Sequence, residues 1–130
     1  MLVANIELLV ITMYNRHKLG KFGEDYACEY LKKNNYEIVE RNFYCRQGEI
    51  DIVAKDCSKK EIVFVEVKTR TSTSYGFPSD AVDLNKKTHL KSCIEFYIYK
   101  NKLQNFFVRV DVIEVFVEKD VKINHFKQIF

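Results

Sequence analysis

The stretch that decides the fold runs from Gly48 to Arg70 and reads GEIDIVAKDCSKKEIVFVEVKTR. Two segments rich in Val and Ile, 49–55 and 61–69, flank a short polar segment at 56–60. This arrangement is typical of two strands joined by a tight connection. The sequence therefore predicts a β-hairpin here.

Apolar residues fix the predicted register of the hairpin. If the turn is centred between Ser58 and Lys59, one face is wholly apolar and must be buried. Its members are Ile50, Ile52, Ala54, Val63, Val65 and Val67. The opposite face then carries two charged pairs, Asp51 opposite Glu66 and Glu49 opposite Lys68. A slip of one residue would move charge into the core, so this register is strongly favoured.

The pair formed by Asp51 and Glu66 calls for a compensating charge, because carboxylates directly opposed across two strands repel each other. A divalent cation would supply it, since hard oxygen ligands bind Mg²⁺ or Mn²⁺. Lys68 would lie beside such an ion, where it would orient a water or stabilise developing negative charge. The alternative is a solvated strand face with an ion pair between Glu49 and Lys68.

Length and composition set broad limits. A chain of 130 residues with 47% hydrophobic and 14% aromatic residues can form one domain with a single core. Its four cysteines are widely spaced and contain no CxxC pair, which favours a reducing cytoplasm over a disulfide framework or a zinc site. The net charge of +3 is too small to argue for nucleic acid by itself.

We expect residues 1–18 to be an N-terminal extension and residues 19–130 to be the domain. The segment 1–13 is apolar but short, contains Glu7 and lacks a basic start, so it predicts neither a signal peptide nor a membrane span. It is either a short element that packs on the domain or an extension upstream of a natural start at Met13.

Helical spacing of apolar residues predicts a first helix over 19–34. Gly20 and Gly23 would let its backbone approach the neighbouring element closely. Glu24 lies beside these small residues, although a glutamate on a helix is ordinarily just solvated.

The remaining segments complete the predicted sheet. A strand over 36–44 would extend the hairpin to a three-stranded meander. A helix would begin with Ser79 as N-cap and end near Lys100. Strands are predicted over 106–117 and 121–126, the latter at an edge, with an apolar tail at 129–130. Asp111 beside Arg109 is a further candidate ligand, but a structural ion pair is the favoured interpretation.

Candidate phosphate contacts are basic. Arg70 begins a loop rich in hydroxyl groups, and the second helix carries a basic cluster. The candidates are Arg70, Lys86, Lys87 and Lys91. Lys86 falls on the core side of its helix, whereas Lys87 and Lys91 also fit an ordinary solvated face.

The element order and the acidic hairpin resemble the PD-(D/E)XK, or restriction-endonuclease-like, superfamily. That superfamily carries an Asp on its second strand and an E-x-K on its third, here Asp51 and Glu66-Val67-Lys68. More closely, the chain resembles the YraN-like family of uncharacterised bacterial proteins from Leu19 to the C-terminus. The matching segments are GKFGE at 20–24, RNF at 41–43, GEID at 48–51, FVEVKTR at 64–70, GFP at 76–78, AVD at 81–83, Lys86 and RVDV at 109–112.

The resemblance implies an α/β fold of the α+β type, with a restriction-endonuclease-like core of about five strands in a mixed sheet flanked by helices. It implies that Asp51, Glu66 and the Val67 carbonyl hold Mg²⁺ or Mn²⁺. Lys68 would be the catalytic lysine and Glu24 an accessory acid. No proline precedes Asp51, which departs from a common superfamily pattern.

The resemblance implies metal-dependent endonucleolytic cleavage of DNA, with branched or repair-associated DNA as a candidate substrate, by a cytoplasmic protein without membrane attachment. A homodimer is plausible because a duplex has two strands and a small domain has one site. The alternative is a non-catalytic nucleic-acid-binding module that keeps a vestigial nuclease site. A weaker option is a protein-interaction role for the tail or the N-terminal segment.

Overall fold

The fold is that of a computed structural model, which describes residues 16–71 and 84–129. Its elements are α1 (Arg16–Lys33), β1 (Tyr36–Cys45), β2 (Gly48–Asp56), β3 (Glu61–Arg70), α2 (Leu84–Lys100), β4 (Val108–Val117) and β5 (Val121–Phe126). The predicted N-terminal extension up to residue 15, the loop beyond Thr71, the Ser79 helix start and Phe130 lie outside the described residues.

The five strands form one mixed sheet in the order β1-β2-β3-β4-β5. β1, β2 and β3 are an antiparallel meander, while β3 and β4 run parallel because α2 carries the chain back across the sheet. β5 pairs antiparallel with β4 and forms an edge, as predicted. The predicted α+β architecture, a mixed five-stranded sheet flanked by helices, is confirmed.

Each helix covers one face of the sheet. Residues of β3 alternate between the two sides, with Val63 and Val65 in the α1 cluster and Ile62 and Phe64 in the α2 cluster. The helices contribute Ala27, Cys28 and Leu31 on one side and Leu90, Cys93, Ile94 and Tyr97 on the other. The sheet is therefore buried on both faces, which explains the nearly continuous apolar runs of β3 and β4.

Of the two glycines at the start of α1, one allows the helix to approach β3 closely. The helix begins at Arg16, ahead of the predicted start at Leu19. A Cβ at Gly23 would overlap the Thr69 side chain, so α1 crosses β3 closely at this residue. At Gly20, by contrast, a Cβ would meet nothing within 4 Å among the described residues. The predicted close approach is correct for Gly23 and wrong for Gly20.

One residue of the predicted apolar face lies on the other side of the sheet. Ile52 packs in the α1 cluster as predicted, whereas Ile50 packs with Phe43 in the α2 cluster. Strict alternation would place Ile50 and Ile52 on the same face, so the prediction for Ile50 is wrong.

The change of face coincides with an omitted pair in the β1–β2 ladder, which keeps one register on both sides of that pair and has its register shift between Ile38 and Glu40. The ladder joins Arg41 to Ile52 and Phe43 to Ile50 but omits the intervening Asn42 and Asp51. Asn42 has a left-handed φ of 52°, a conformation that breaks the alternation of a strand and that Asn tolerates well. The omitted pair includes Asp51, the carboxylate that the sequence predicts to be a metal ligand.

A buried polar network joins β4 to its neighbours. The Arg109 guanidinium donates to both Asp111 oxygens at 2.9 and 3.0 Å and to Asp56 Oδ2 at 3.1 Å. His125 Nε2 lies 2.7 Å from Asp111 Oδ2, and its Nδ1 lies 2.9 Å from the Tyr30 hydroxyl. Asp111 is thus fully engaged far from the cleft described below, which agrees with the structural ion pair favoured from the sequence.

Candidate active site at the fork between β2 and β3

The hairpin opens into a fork at its acidic end. The predicted register is confirmed from the Asp56–Glu61 pair to the Ile52–Val65 pair, where the ladder ends. The predicted pairing of Asp51 with Glu66 is therefore absent from the ladder. Instead, Asp51 Oδ2 accepts a hydrogen bond from the Val67 main-chain N–H at 2.8 Å. The two strands separate here and leave space between them.

This space is a cleft of about 430 Å³ between the first turns of α1, the fork and the start of α2. It brings together the four residues predicted to be catalytic, which are Glu24, Asp51, Glu66 and Lys68. Its other lining residues are Leu19, Gly20, Glu49, Val67, Thr69 and Lys86. The side chains that the site hypothesis requires thus face one common volume.

Two lysine side chains form ion pairs with the same oxygen of Glu66. Lys86 Nζ lies 3.1 Å from Glu66 Oε1, and Lys68 Nζ lies 3.4 Å from the same atom. Within residues 16–71 and 84–129, Lys68 has no ion pair with Glu49, so the alternative derived from the hairpin pattern is not formed. Glu66 itself is buried, so both ammonium groups compensate a charge that water reaches poorly.

Asp51 has an unusual protonation equilibrium. Burial raises its pKa, and the nearby Glu66 carboxylate raises it further, to about 8. The Val67 N–H acts in the opposite direction but does not outweigh these two causes. Near neutral pH the carboxyl group therefore holds a proton unless another positive charge approaches it.

Lys68 and Glu24 are perturbed as well. Burial, together with the neighbouring Lys86, lowers the pKa of Lys68. Burial also raises the pKa of Glu24, although Arg41 and a hydrogen bond from Asn42 partly offset this effect. The two shifts bring the pKa values of a lysine and a carboxylate in one cleft closer together, which favours proton transfer by these groups.

Asn42 is the residue that sequence reasoning missed. It has a left-handed φ, it stands opposite Asp51 in the pair that the β1–β2 ladder omits, and its side chain acts to lower the pKa of Glu24. The only local signal is an asparagine within an otherwise regular strand segment, since Asn is enriched in left-handed conformations. Its contact with α1 depends on tertiary packing and has no sequence signature.

The donor set fits a hard divalent cation that keeps several waters. Asp51 Oδ2 and Glu66 Oε1 are occupied by protein donors, whereas the other oxygen of each carboxylate receives no hydrogen bond from the described residues. The N–H and C=O of a strand residue point to the same side, so the Val67 carbonyl faces the fork as its N–H does. Among the described residues, no three His, Cys, Asp or Glu side chains form a ready-made metal cluster.

Charge balance in the cleft supports the same conclusion. Four carboxyl groups, those of Glu24, Glu49, Asp51 and Glu66, face two ammonium groups, those of Lys68 and Lys86. When all six are ionised, the negative groups are in excess by two. A single divalent cation would neutralise the cleft.

The four predicted phosphate contacts occupy different environments. Lys86 lies inside the cleft, against Glu66. The Arg70 guanidinium lies 3.5 Å from the buried Glu114 carboxylate, which offsets its charge. Lys87 is half-buried and Lys91 is exposed on α2.

A second, larger cavity adjoins the cleft. It has a volume of about 550 Å³ and shares Gly20, Glu24 and Glu49 with the cleft. Its remaining lining residues are His17, Lys21, Arg41, Asn42 and Tyr44. Tyr44 is 68% exposed at this position. The two cavities together extend the cleft along the surface in the direction of β1.

Comparison with known proteins identifies one family. The family described as "Uncharacterised protein family UPF0102", which is the YraN family predicted from the sequence, matches residues 23–115. A UPF0102 protein of Caldicellulosiruptor saccharolyticus is 48% identical over 103 residues, which is 79% of this chain and 86% of that one. Another from Caldicellulosiruptor bescii is 44% identical over 120 residues, covering 89% of this chain and 99% of that one.

A third relative, the UPF0102 protein of Acetivibrio thermocellus, is 45% identical over 106 residues, or 81% of this chain and 80% of that one. Among solved structures, SSO0001 matches with a TM-score of 0.39 and 16% identity, over 96% of this chain and 59% of that chain. A similarity at this level carries no argument about function. In residues 16–71 and 84–129, no helix is long and apolar enough to cross a membrane.

Proposed function

The chain belongs to family UPF0102, and we propose that it is a divalent-metal-dependent nuclease that hydrolyses phosphodiester bonds in DNA, including branched DNA of the kind met in repair. The observation that carries this proposal is the convergence of Asp51, Glu66 and Lys68 on one cleft at the open end of a hairpin. Burial of two neighbouring carboxylates costs free energy in a metal-free protein. Such an arrangement is typical of a site that binds a cation.

Three groups of the chain would hold Mg²⁺ or Mn²⁺. They are the unoccupied oxygens of Asp51 and Glu66 and the main-chain carbonyl of Val67. A cation bound there would lower the pKa of a water molecule and offset the negative charge of the phosphodiester. Its charge would also favour the ionised form of Asp51, whose pKa is about 8 without it.

Lys68 would act on the reacting groups from the same strand. Its side chain is 22% exposed, so its ammonium group has limited freedom to leave the cleft. From this position Lys68 would hold an incoming water by a hydrogen bond or stabilise charge on a nonbridging phosphate oxygen. Its lowered pKa favours proton exchange with such a water.

Glu24 would be the accessory acid from α1. It lines both the cleft and the adjoining cavity, so it lies where the substrate backbone would pass from one to the other. Burial raises its pKa, which favours a role as a proton acceptor or donor. Asn42 and Arg41 would keep its carboxylate in place.

The test is a cleavage panel of linear, nicked, forked and four-way DNA with Mg²⁺, Mn²⁺ or EDTA. We expect metal-dependent cleavage that falls by at least about a hundredfold in Asp51→Ala and Glu66→Ala, because each removes a cation ligand. Glu37→Ala, at an exposed position of β1, is the matched control and should cleave like the parent.

Two results would contradict the proposal. One is a parent protein that cuts no nucleic acid with any divalent ion; full DNA binding in EDTA without cleavage would then favour the vestigial binding module. The other is cleavage by Asp51→Ala at the parent rate. Salt-dependent binding that weakens in Lys91→Ala would support a nucleic-acid contact on α2 in either case.

A further inference from the structure

Two ammonium groups share one oxygen of Glu66, and they come from different elements. Lys68 belongs to the same strand as Glu66 and contacts Oε1 at 3.4 Å. Lys86 reaches Oε1 from the first turn of α2 and contacts it more closely, at 3.1 Å. Like charges at such short range repel each other, so the arrangement depends on the surrounding negative charge.

The negative charge comes from the same carboxylates that would bind a metal ion, those of Asp51 and Glu66. In the metal-free protein, Lys86 lies against Glu66 and acts electrostatically on Asp51, the two carboxylates of the proposed cation site. A divalent cation between them would satisfy the same carboxylates and add two positive charges beside Lys68 and Lys86. At least one of the two lysine contacts would then become unfavourable.

Lys86 is the lysine that can leave at lower cost. Its side chain is 44% exposed, against 22% for Lys68. It is also anchored on a helix at the rim of the cleft, whereas Lys68 is two residues from Glu66 on a central strand. A flexible lysine near solvent can regain hydration by a change of rotamer.

We propose that Lys86 acts as a built-in counterion of Glu66 in the metal-free protein and that divalent metal displaces it from this carboxylate. The inference rests on the metal site of the proposed function, but it does not require that the protein cleave DNA. Its consequence is a coupling between metal binding and α2. When metal binds, the Lys86 ammonium group would move out of the cleft. It would move toward the surface along which a phosphate backbone would pass.

Metal affinity of the purified full chain tests this directly. We would titrate Mn²⁺ by calorimetry into the parent, Lys86→Met and Lys91→Met. Methionine keeps the length of the side chain without its charge, and Lys91 lies on the same helix outside the cleft. We expect Lys86→Met to bind Mn²⁺ about three- to tenfold more tightly, the worth of one partly buried ion pair. Lys91→Met should bind as the parent does.

Thermal unfolding provides a second readout. Lys86→Met should melt at a lower temperature than the parent in EDTA, because Glu66 loses a counterion. The increase in melting temperature on adding saturating Mn²⁺ should be larger in Lys86→Met than in the parent, because binding to the native state is tighter. Lys86→Gln serves as a second variant if Lys86→Met fails to fold.

The outcomes separate this inference from the proposed function. Unchanged or weaker Mn²⁺ binding in both Lys86 variants would overturn the displacement, and weaker binding would make Lys86 a positioning residue for Glu66. Tighter binding in a protein that cuts no DNA would support the displacement while contradicting the nuclease. A parent that binds no divalent metal would overturn both.

Discussion

Asp51 Oδ2 accepts the main-chain N–H of Val67 at 2.8 Å, one step beyond the last backbone pair of the hairpin, Ile52 with Val65. A side chain thus takes the donor that a continued ladder would have used. The contact links β2 and β3 at the point where their ladder ends, and Asp51 and Val67 both line the cleft there.

Asp51→Asn should stabilise the metal-free protein at alkaline pH. The folded-state pKa of Asp51 is about 8, above its ordinary value of 3.8, so ionisation favours the unfolded chain. Stability should therefore decline as pH rises from about 4 to about 8, and the Asn variant should lack this decline. Relative to the parent, we expect the free energy of unfolding of Asp51→Asn to be higher by roughly 1–3 kcal/mol at pH 8 in EDTA and little changed near pH 4. Urea denaturation at both pH values measures it, and Asp51→Asn that is less stable at pH 8 would contradict the assigned protonation state.

Asn42 should tolerate glycine better than alanine. Its left-handed φ of 52° strains an alanine by about 1 kcal/mol but not a glycine. Both variants remove the hydrogen bond to Glu24, so both should raise the pKa of Glu24 further. Urea denaturation gives the first effect and carboxyl chemical shifts against pH give the second. An alanine variant as stable as the glycine variant would speak against the backbone role.

The two glycines of α1 should respond in opposite directions to alanine. Gly20→Ala should stabilise by about 0.5–1 kcal/mol, because alanine is the better helix former and the position is open. Gly23→Ala should destabilise, because its methyl group would overlap Thr69 and push α1 away from β3. The double variant Gly23→Ala/Thr69→Ala should recover part of the loss. The melting temperatures of the parent, the two single variants and the double variant measure these effects. A stabilising Gly23→Ala would disprove the close crossing of α1 and β3.

Asp56→Asn should cost stability at neutral pH but not in acid. Burial alone would raise the pKa of Asp56, but hydrogen bonds from Ser58 and Arg109 outweigh it and lower the pKa to about 2. A carboxylate with a lowered folded-state pKa stabilises above its unfolded pKa of 3.8 and loses this contribution as pH falls through 2. We expect the free energy of unfolding of Asp56→Asn to be about 2 kcal/mol below that of the parent at pH 7. This difference should shrink toward zero near pH 2. Equal deficits at both pH values, measured by urea denaturation, would contradict this account.

Much of the fold can be read from local sequence. The hairpin register follows from Ile52, Ala54, Val63 and Val65, because a slip by one residue would bury charge. The span of β5 is predicted without error, since polar residues interrupt the chain on both sides of it. Asp51, Glu66 and Lys68 can be placed together for the same reason, because they lie on two strands joined by a short turn.

Residues whose partners come from distant elements could not be placed in this way. Arg70 reads as an open phosphate contact, but β4 brings the buried Glu114 against it. The spacing of α2 predicts Lys86 on the core side of its helix, but its contact with Glu66 in the cleft depends on how the crossover from β3 to β4 places α2. Ile50 packs on the α2 side of the sheet, next to the pair that the ladder with the neighbouring strand omits.

The sequence by itself determined the strand segments, the hairpin register as far as the Ile52–Val65 pair and the three charged side chains of the hairpin, because alternation and turn length act over a few residues. The tertiary structure alone decided that the hairpin splits at Asp51, that Glu24 and Lys86 reach the same cleft from two helices, and that Arg109 and Asp111 are internal. These outcomes depend on how α1 and α2 pack across opposite faces of the sheet. Such packing is set by the sum of many distant contacts, which no local pattern encodes.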